Sequence, residues 1–246
     1  MDNTKNSKIV KVSFSDAEYL ADDYNKNWPK EWVDIYYKKY PRFLQIKLSL
    51  ESDLDFEVNI KKVLLNRESH KMIGKGTLSL ESLSEIIYFS CGMKKYYRVD
   101  LLDRINRYYP SGGRRYPIEV YIVVRQEVHG LKKGVYHFNV LENTFEYLWQ
   151  VDEVSKFTPY KKKDGAKVMI VLTSVIGRNA VKYGDLSYKF SYIETGLILQ
   201  NLTLMATSYE ISNSIVNHDD YMLEELLDID GETEFVTGQI ALDFKI

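Results

Sequence analysis

The chain has 246 residues, 45% of them hydrophobic and 28% charged, a length that suits one large domain with a substantial core and a composition that indicates neither disorder nor a fibrous repeat. Its formal net charge of −2 argues against a nucleic-acid binder that relies on neutralising phosphates. The single cysteine, Cys91, rules out an intrachain disulfide and any multi-cysteine zinc or iron–sulfur site within one chain.

The opening residues Met1 to Asn6 continue polar without the apolar region of a signal peptide, and apolar residues never run long enough to span a bilayer. A soluble, cytoplasmic protein without membrane contact is expected. Twenty tyrosines favour strands and half-buried surfaces, or contact with a peptide or a ring system. Residues 1–55 are polar and aromatic without clear periodicity, and Pro29 and Pro41 break any long helix. They are predicted to form an extended arm ahead of the main domain, residues 56–246. Trp28, Trp32, Tyr36, Tyr37, Tyr40 and Phe43 would be costly to leave in water, so the arm should wrap the domain or a second subunit.

Along the domain, Phe56, Ile60, Val63 and Leu64 recur at helical spacing and predict a helix ending near Asn66. Ser79 or Ser82 caps a second, with Leu83, Ile86 and Ile87 as its apolar face. The β-branched run Ile118 to Val124 predicts a strand, and Gly134 to Val140 another; Gly130 to Gly134 supplies turn chemistry for a hairpin between them. Lys161 to Gly165 forms a charged turn, and Lys167 to Ile176 is the continuous apolar run expected of a central strand buried on both faces. From Tyr192 to about Tyr209 the apolar positions go nearly all round a helical wheel, which predicts a helix buried within the fold. Ile240, Leu242, Phe244 and Ile246 alternate as a final strand.

Several clusters could carry chemistry. Arg67-Glu68-Ser69-His70-Lys71 offers two cations and a hydroxyl suited to a phosphate, or is an ordinary solvated charge run. Pro110-Ser111-Gly112-Gly113 precedes a strand, where the glycines let backbone approach a ligand or merely make a tight turn. Lys182-Tyr183-Gly184 pairs an ammonium with a phenol whose ionised form it would favour; the bland alternative is two surface or packing residues. Glu194 and Asn201, seven residues apart on one helix, share a face and serve either a structural polar network or a cofactor. The four histidines show no metal spacing, and no Walker A or G-x-G-x-x-G motif occurs.

Taken in order, these segments resemble the nitroreductase superfamily, and within it the SagB-type branch, the azoline dehydrogenases of thiazole/oxazole-modified peptide biosynthesis. Trp28-Pro29-Lys30-Glu31-Trp32 through Tyr40-Pro41-Arg42-Phe43 resembles that branch's N-terminal extension, and Arg67 to Lys71 its Arg-x-Ser-x-Arg/Lys element. Pro110-Ser111-Gly112-Gly113 with Tyr116-Pro117-Ile118-Glu119 is similar to its most specific motif; Gly134-Val135-Tyr136-His137, Lys182-Tyr183-Gly184 and Tyr192-x-Glu194-x-Gly196-x-x-x-Gln200-Asn201 follow.

The resemblance implies an α+β, FMN-binding fold, with a central mixed or antiparallel sheet flanked by helices, that forms a homodimer with flavin at the subunit interface. It implies a phosphate clamp of Arg67, Ser69 and Lys71 and flavin contacts from Ser111, Gly112, Gly113, Glu194, Asn201, Ile215, Val216 and Lys245. It assigns Lys182 and Tyr183 to removal of a Cα proton while flavin takes hydride from Cβ. The substrate would be a ribosomal precursor peptide already cyclised by a cyclodehydratase partner. Another FMN-dependent reduction, or a scaffold within a peptide-modifying complex, are the alternatives. The chain departs from the pattern at Ile215-Val216-Asn217-His218, where relatives carry a glycine pair, and at Asp243-Phe244-Lys245, where they tend to have glycine followed by arginine.

Overall fold

The computed structural model describes residues 32, 35–50, 58–69, 76–99, 102–150, 166–217 and 219–243. Five helices, α1 (Ile60–Asn66), α2 (Leu80–Cys91), α3 (Gly177–Tyr183), α4 (Leu186–Ser208) and α5 (Asp220–Leu227), surround the strands among these residues. The strands are β1 (Leu44–Lys47), β2 (Met93–Val99), β3 (Leu102–Arg107), β4 (Ile118–Val124), β5 (Gly134–Asn139), β6 (Thr144–Trp149), β7 (Val168–Val175), β8 (Asn213–Val216) and β9 (Glu234–Leu242). Seven of them form one sheet in the order β1-β6-β5-β4-β7-β9-β8, and β2 and β3 form a separate two-stranded ribbon. Every pairing is antiparallel.

Local chemistry explains the elements nearest the site. Helix α2 begins in a capping box: Ser79 Oγ accepts from the Ser82 amide at 3.4 Å and Ser82 Oγ from the Ser79 amide at 3.0 Å, so both predicted caps act together. Its Leu83, Ile86 and Ile87 are fully buried. The Gly130–Gly134 turn closes the expected hairpin, with Val124 opposite Gly134. Strand β7 is buried on both faces as expected: Ile170 and Leu172 join one apolar cluster, Met169 and Val171 the other. The first cluster lies between the sheet and helices α2 and α4, through Ile86, Ile198 and Leu202. The second is covered by Leu223, Leu226 and Leu227 of α5.

Three expectations change. Helix α4 starts at Leu186 rather than near Tyr192 and is not buried all round: Tyr188, Tyr192 and Ile193 are about half exposed. The N-terminal half of its inward face is taken by Ser187, Ser191, Glu194 and Thr195, and only the C-terminal half, with Ile198, Leu199, Leu202 and Ala206, is apolar, so counting apolar positions overstates burial. Helix α1 starts at Ile60, where Asn59 Oδ1 accepts from the Lys61 amide at 2.9 Å, and of its predicted apolar face only Val63 is buried; Phe56 lies outside the described residues. The final strand begins earlier, at Glu234, while Phe244, Lys245 and Ile246 lie outside the described residues.

The part of the 1–55 stretch that is described adds strand β1 to the sheet edge beside β6 and packs on both faces, Tyr37 and Leu48 into the first cluster and Tyr40 against the second. Beneath it sits a buried polar network. His137 Nδ1 lies 2.8 Å from Glu146 and Nε2 3.0 Å from Glu119. A neutral imidazole has one donor nitrogen, so carboxylates on both sides require the imidazolium. Burial alone would lower the His137 pKa, but the two carboxylates raise it above the ordinary value. Arg178 donates to the other oxygen of Glu119, and Asn139 Nδ2 and the Tyr40 amide donate to Glu146 at 3.0 and 2.9 Å. Two cations thus balance two anions, and each of the four carboxylate oxygens has at least one hydrogen-bond partner. Lys38 reaches Glu234 at 2.5 Å and Tyr121 at 2.6 Å, and Thr173 donates to Glu234 at 2.7 Å. Glu119 and His137 belong to two of the motifs singled out in the sequence, and here they bond to each other.

Candidate active site

Residues 110–117 form a tight, strained loop between β3 and β4. Gly113 has φ 58°, a conformation glycine adopts freely, but Arg114 at φ 58° and Tyr116 at φ 48° share it. Such backbone persists only where the surroundings over-determine it, at a cost of about 1–3 kcal/mol per residue. Here the restraints are explicit. The Tyr116 amide donates to Ser111 Oγ at 2.8 Å, the Arg107 amide donates to Tyr116 Oη at 3.1 Å, and Arg178 Nη1 donates to the Tyr116 carbonyl at 3.1 Å. The buried Arg115 guanidinium donates to the Arg178 carbonyl and, at 2.5 Å, to the Trp32 carbonyl.

This loop meets the predicted proton-transfer pair and the predicted helix contact. Glu194 Oε1, projecting from α4, accepts from Ser111 Oγ at 2.9 Å and from the Gly112 amide at 3.1 Å. A Cβ on Gly113 would come within 2.3 Å of the Tyr183 hydroxyl, and one on Gly112 within 3.3 Å of the Phe190 ring. The Tyr183 and Phe190 rings pack edge to face, 5.0 Å apart. The Lys182 ammonium stands 5.4 Å from the centre of the Tyr183 ring and 5.7 Å from that of Trp32, within cation–π range of both. Ser111, Gly112, Gly113, Lys182, Tyr183 and Glu194, separated by up to 83 positions in sequence, are therefore one cluster.

Burial pushes the Tyr183 phenol above its ordinary pKa; Arg115 pulls it down and Glu194 pushes it up. The expectation that a neighbouring ammonium favours the phenolate is thus corrected: desolvation outweighs the cations, and the resting side chain is the neutral phenol. Glu194 is pushed up to about 7, by burial first, against the hydrogen bonds from Ser111 and Gly112 and the field of Arg107.

The other predicted contacts lie elsewhere. Arg67 caps the C-terminus of α1 and donates to Ser69 Oγ at 3.4 Å. Helix α1 packs against the far end of α4, where Val63 shares an apolar groove with Met205, Ser208 and Tyr209. Fourteen residues of helix separate Glu194 from Ser208, roughly 20 Å at the α-helical rise. Asn201 donates to the Ser90 carbonyl at 3.1 Å and so ties α4 to α2. Ile215 and Val216 stand in β8, in regular register with Ile240 and Gln239; Ile215 is half exposed and Val216 buried. Lys71 and Lys245 lie outside the described residues.

Sequence reading named Tyr116 only as part of a motif and gave no role to Arg107, Arg115 or Arg178, which with it fasten the loop. Arg107, close before the glycine pair and 5% exposed, was open to notice; the reach of Arg178 from α3 was not.

A cleft of about 570 Å³ opens beside the loop, lined by Lys94, Lys95, Arg107, Ser111, Arg114 and Tyr116. The nitroreductase family pattern matches residues 65–242. The chain belongs to the nitroreductase family. A nitroreductase-type protein of Methanocaldococcus jannaschii is 26% identical over 178 residues, covering 70% of this chain and 86% of that protein. The trifolitoxin-processing protein TfxB of Rhizobium leguminosarum is 30% identical over 112 residues, 42% of this chain and 30% of TfxB. The microcin B17-processing protein McbC of Escherichia coli is 25% identical over 138 residues, 52% of this chain and 51% of McbC. The chain therefore spans about half of McbC and less than a third of TfxB in these matches. Among solved structures, a nitroreductase-type protein of Anabaena variabilis shares the fold with a TM-score of 0.66 at 22% identity, covering 85% of this chain and 40% of its own. A chain of the E. coli microcin synthetase McbBCD complex, solved with truncated pro-MccB17 bound, does so at 0.62 and 17%, covering 99% of this chain and 85% of its own.

Nitroreductase-family proteins are oxidoreductases that bind FMN, and FMN is the cofactor this membership assigns. The residues present fit such a group: cations and a phenol line the cleft, and Gly113 presents exposed backbone beside it while its Cβ position is taken by the Tyr183 hydroxyl. Gly113→Ala should therefore fold but lose FMN affinity by tenfold or more, since the added methyl meets the Tyr183 hydroxyl at a left-handed residue. Flavin fluorescence titration of the purified variant measures this, with its melting temperature as the control for folding.

Proposed function

We propose that this nitroreductase-family chain is an FMN-dependent dehydrogenase that converts thiazoline or oxazoline rings in a ribosomally made precursor peptide into azoles. The observation that carries the reading is the placing of the Tyr183 hydroxyl directly against Gly113, with the Lys182 ammonium over its ring. The similarity to the trifolitoxin- and microcin-processing proteins supports a peptide as substrate.

When bound, FMN supplies the acceptor for the hydride that leaves Cβ of the ring. Lys182 and Tyr183 take the Cα proton, so the ring loses the elements of dihydrogen and becomes aromatic. Ser111, Gly112 and Gly113 face the flavin with backbone. Arg67, Ser69, Lys71 and Lys245 hold the phosphate, with Asn201, Ile215 and Val216 bordering the remainder. Because Arg67 lies at the opposite end of α4 from Ser111, the two sets meet in a homodimer in which each site draws on both subunits. The exposed Tyr188, Tyr192 and Ile193 on α4 are the apolar surface available for that contact. A cyclodehydratase supplies the azoline peptide and is the partner of the assembly, and the chain works in the cytoplasm.

The test is purification followed by an absorbance spectrum, release and identification of the yellow ligand, and incubation with a chemically cyclised azoline peptide. Stoichiometric FMN with a two-hydrogen mass loss per ring supports the reading. Bound FMN with no change in any azoline peptide, but turnover of a nitroaromatic with a nicotinamide donor, would replace it with small-molecule reduction.

A further inference from the structure

Glu194 is the buried carboxylate of this site, 2% exposed, and it uses its two oxygens unequally. Oε1 accepts both Ser111 Oγ and the Gly112 amide, while Oε2 is buried without a hydrogen-bond partner. Ser111 Oγ is itself the acceptor for the Tyr116 amide, so one carboxylate oxygen closes a chain that runs from α4 through Ser111 to the far end of the strained loop. The groups facing it are Arg107 at the end of β3, the buried phenols Tyr109 and Tyr116 of the loop, and Tyr183 of α3. Arg107 is the cation of that set; Ser111 and Gly112 supply neutral donors.

We propose that Glu194 is a positioning residue whose bound proton keeps the Ser111–Gly113 turn seated against Tyr183, and whose ionisation releases the turn. A buried carboxylate with one bare oxygen gains far more hydration if the turn lifts than the neutral acid does, because an unpaired charge costs more to bury than an unpaired hydroxyl. The seated form therefore binds the proton more tightly than the lifted form, and rising pH shifts the balance toward lifting. The consequence for function rests on the reading above, in which the Gly113 backbone and the Tyr183 hydroxyl packed against it face the flavin together. Ionised Glu194 would then widen the distance between the flavin-facing backbone and the Tyr183 hydroxyl without itself touching flavin or peptide.

The experiment begins with the cofactor-free protein. Amide exchange at Gly112, whose N–H donates to Glu194, normalised to Ile122 of β4, is followed from about pH 5 to 8 for the wild type and for Glu194→Gln, which keeps the acceptor oxygen and carries no titrating proton. Wild-type protection should fall by about tenfold for each unit that the pH rises between the lifted-state and the seated-state pKa, while Glu194→Gln stays protected throughout. Infrared difference spectra should show a protonated carboxylic acid lost over the same range and absent in Glu194→Gln. Identical exchange profiles for the two proteins, or an infrared band that survives the substitution, would overturn the proposal. FMN affinity is then measured on the same samples: several-fold weakening at high pH in the wild type alone extends the role to the flavin. Failure of both proteins to bind FMN would count against the flavin reading, and the exchange result would still decide the role of Glu194.

Discussion

Tyr183→Phe is expected to leave a folded, FMN-bound protein whose turnover on an azoline peptide is reduced by about 10²- to 10⁴-fold, the usual contribution of a positioned proton acceptor. The substitution keeps the ring that packs against Phe190 and removes only the hydroxyl that meets Gly113. Lys182→Ala should lose turnover similarly, because the ammonium lies over that ring. Since burial holds the phenol above its ordinary value, its deprotonated form grows as pH rises, so kcat/KM should climb on the alkaline side and lose that limb in Tyr183→Phe. Steady-state rates across pH, with the absorbance of bound flavin recorded for each variant, check both points. Full activity in both variants would remove the pair from proton abstraction, and loss of flavin colour would mark it as packing.

Glu119→Ala is expected to be the most damaging single change to the scaffold. It strands the Arg178 guanidinium and one edge of the His137 imidazolium in a buried setting, and breaking a buried pair in this way costs about 3–5 kcal/mol. A domain of this kind has about 5–15 kcal/mol in all. The melting temperature should fall steeply, with Glu119→Gln intermediate because it keeps an acceptor. The same network sets the pH limits of stability. Burial would raise Glu119, but Arg178 and His137 lower it below the ordinary value of 4.5, and Glu146 is lowered too. Their contribution is complete above that value and lost as pH falls through the folded pKa of each. His137 is raised above 6.5, so its share is complete below that value and lost as pH rises through its folded pKa. Denaturant midpoints measured across pH should fall at both ends in the wild type and lose both slopes in a Glu119→Gln, His137→Gln double variant.

The parts of this fold that were legible in the sequence are those where one local rule acts alone. The Ser79–Ser82 capping box, the β-branched run at Ile118 and the glycine turn before β5 are each decided by neighbours in the chain. The first half of helix α4 was not legible because its buried side there is polar: Ser191 and Glu194 face inward to meet Ser174 and Ser111, partners that periodicity does not reveal. Helix α5 went unpredicted although Asp219 caps it and Leu223, Leu226 and Leu227 recur at helical spacing. At the site, the sequence named six residues that the fold brings together, and order along the chain was the signal. It could not distinguish residues that face a ligand from residues that hold the loop, since Glu119, His137 and Arg115 stand in or beside the same motifs and are occupied with one another and with Arg178.

The attachment of Lys38 and Tyr40 to the sheet, and of Trp32 to Arg115 and Lys182, also bears on where the working unit of this protein begins. The family pattern starts at residue 65, yet a chain cut there would leave Glu146 and Glu234 facing solvent without two of their donors. Lys182 would also lose one of the two rings that hold its ammonium. The unit that folds with these contacts intact is therefore larger than the segment shared with the family, and shortening the chain from its front would reach Lys182 through the loss of Trp32.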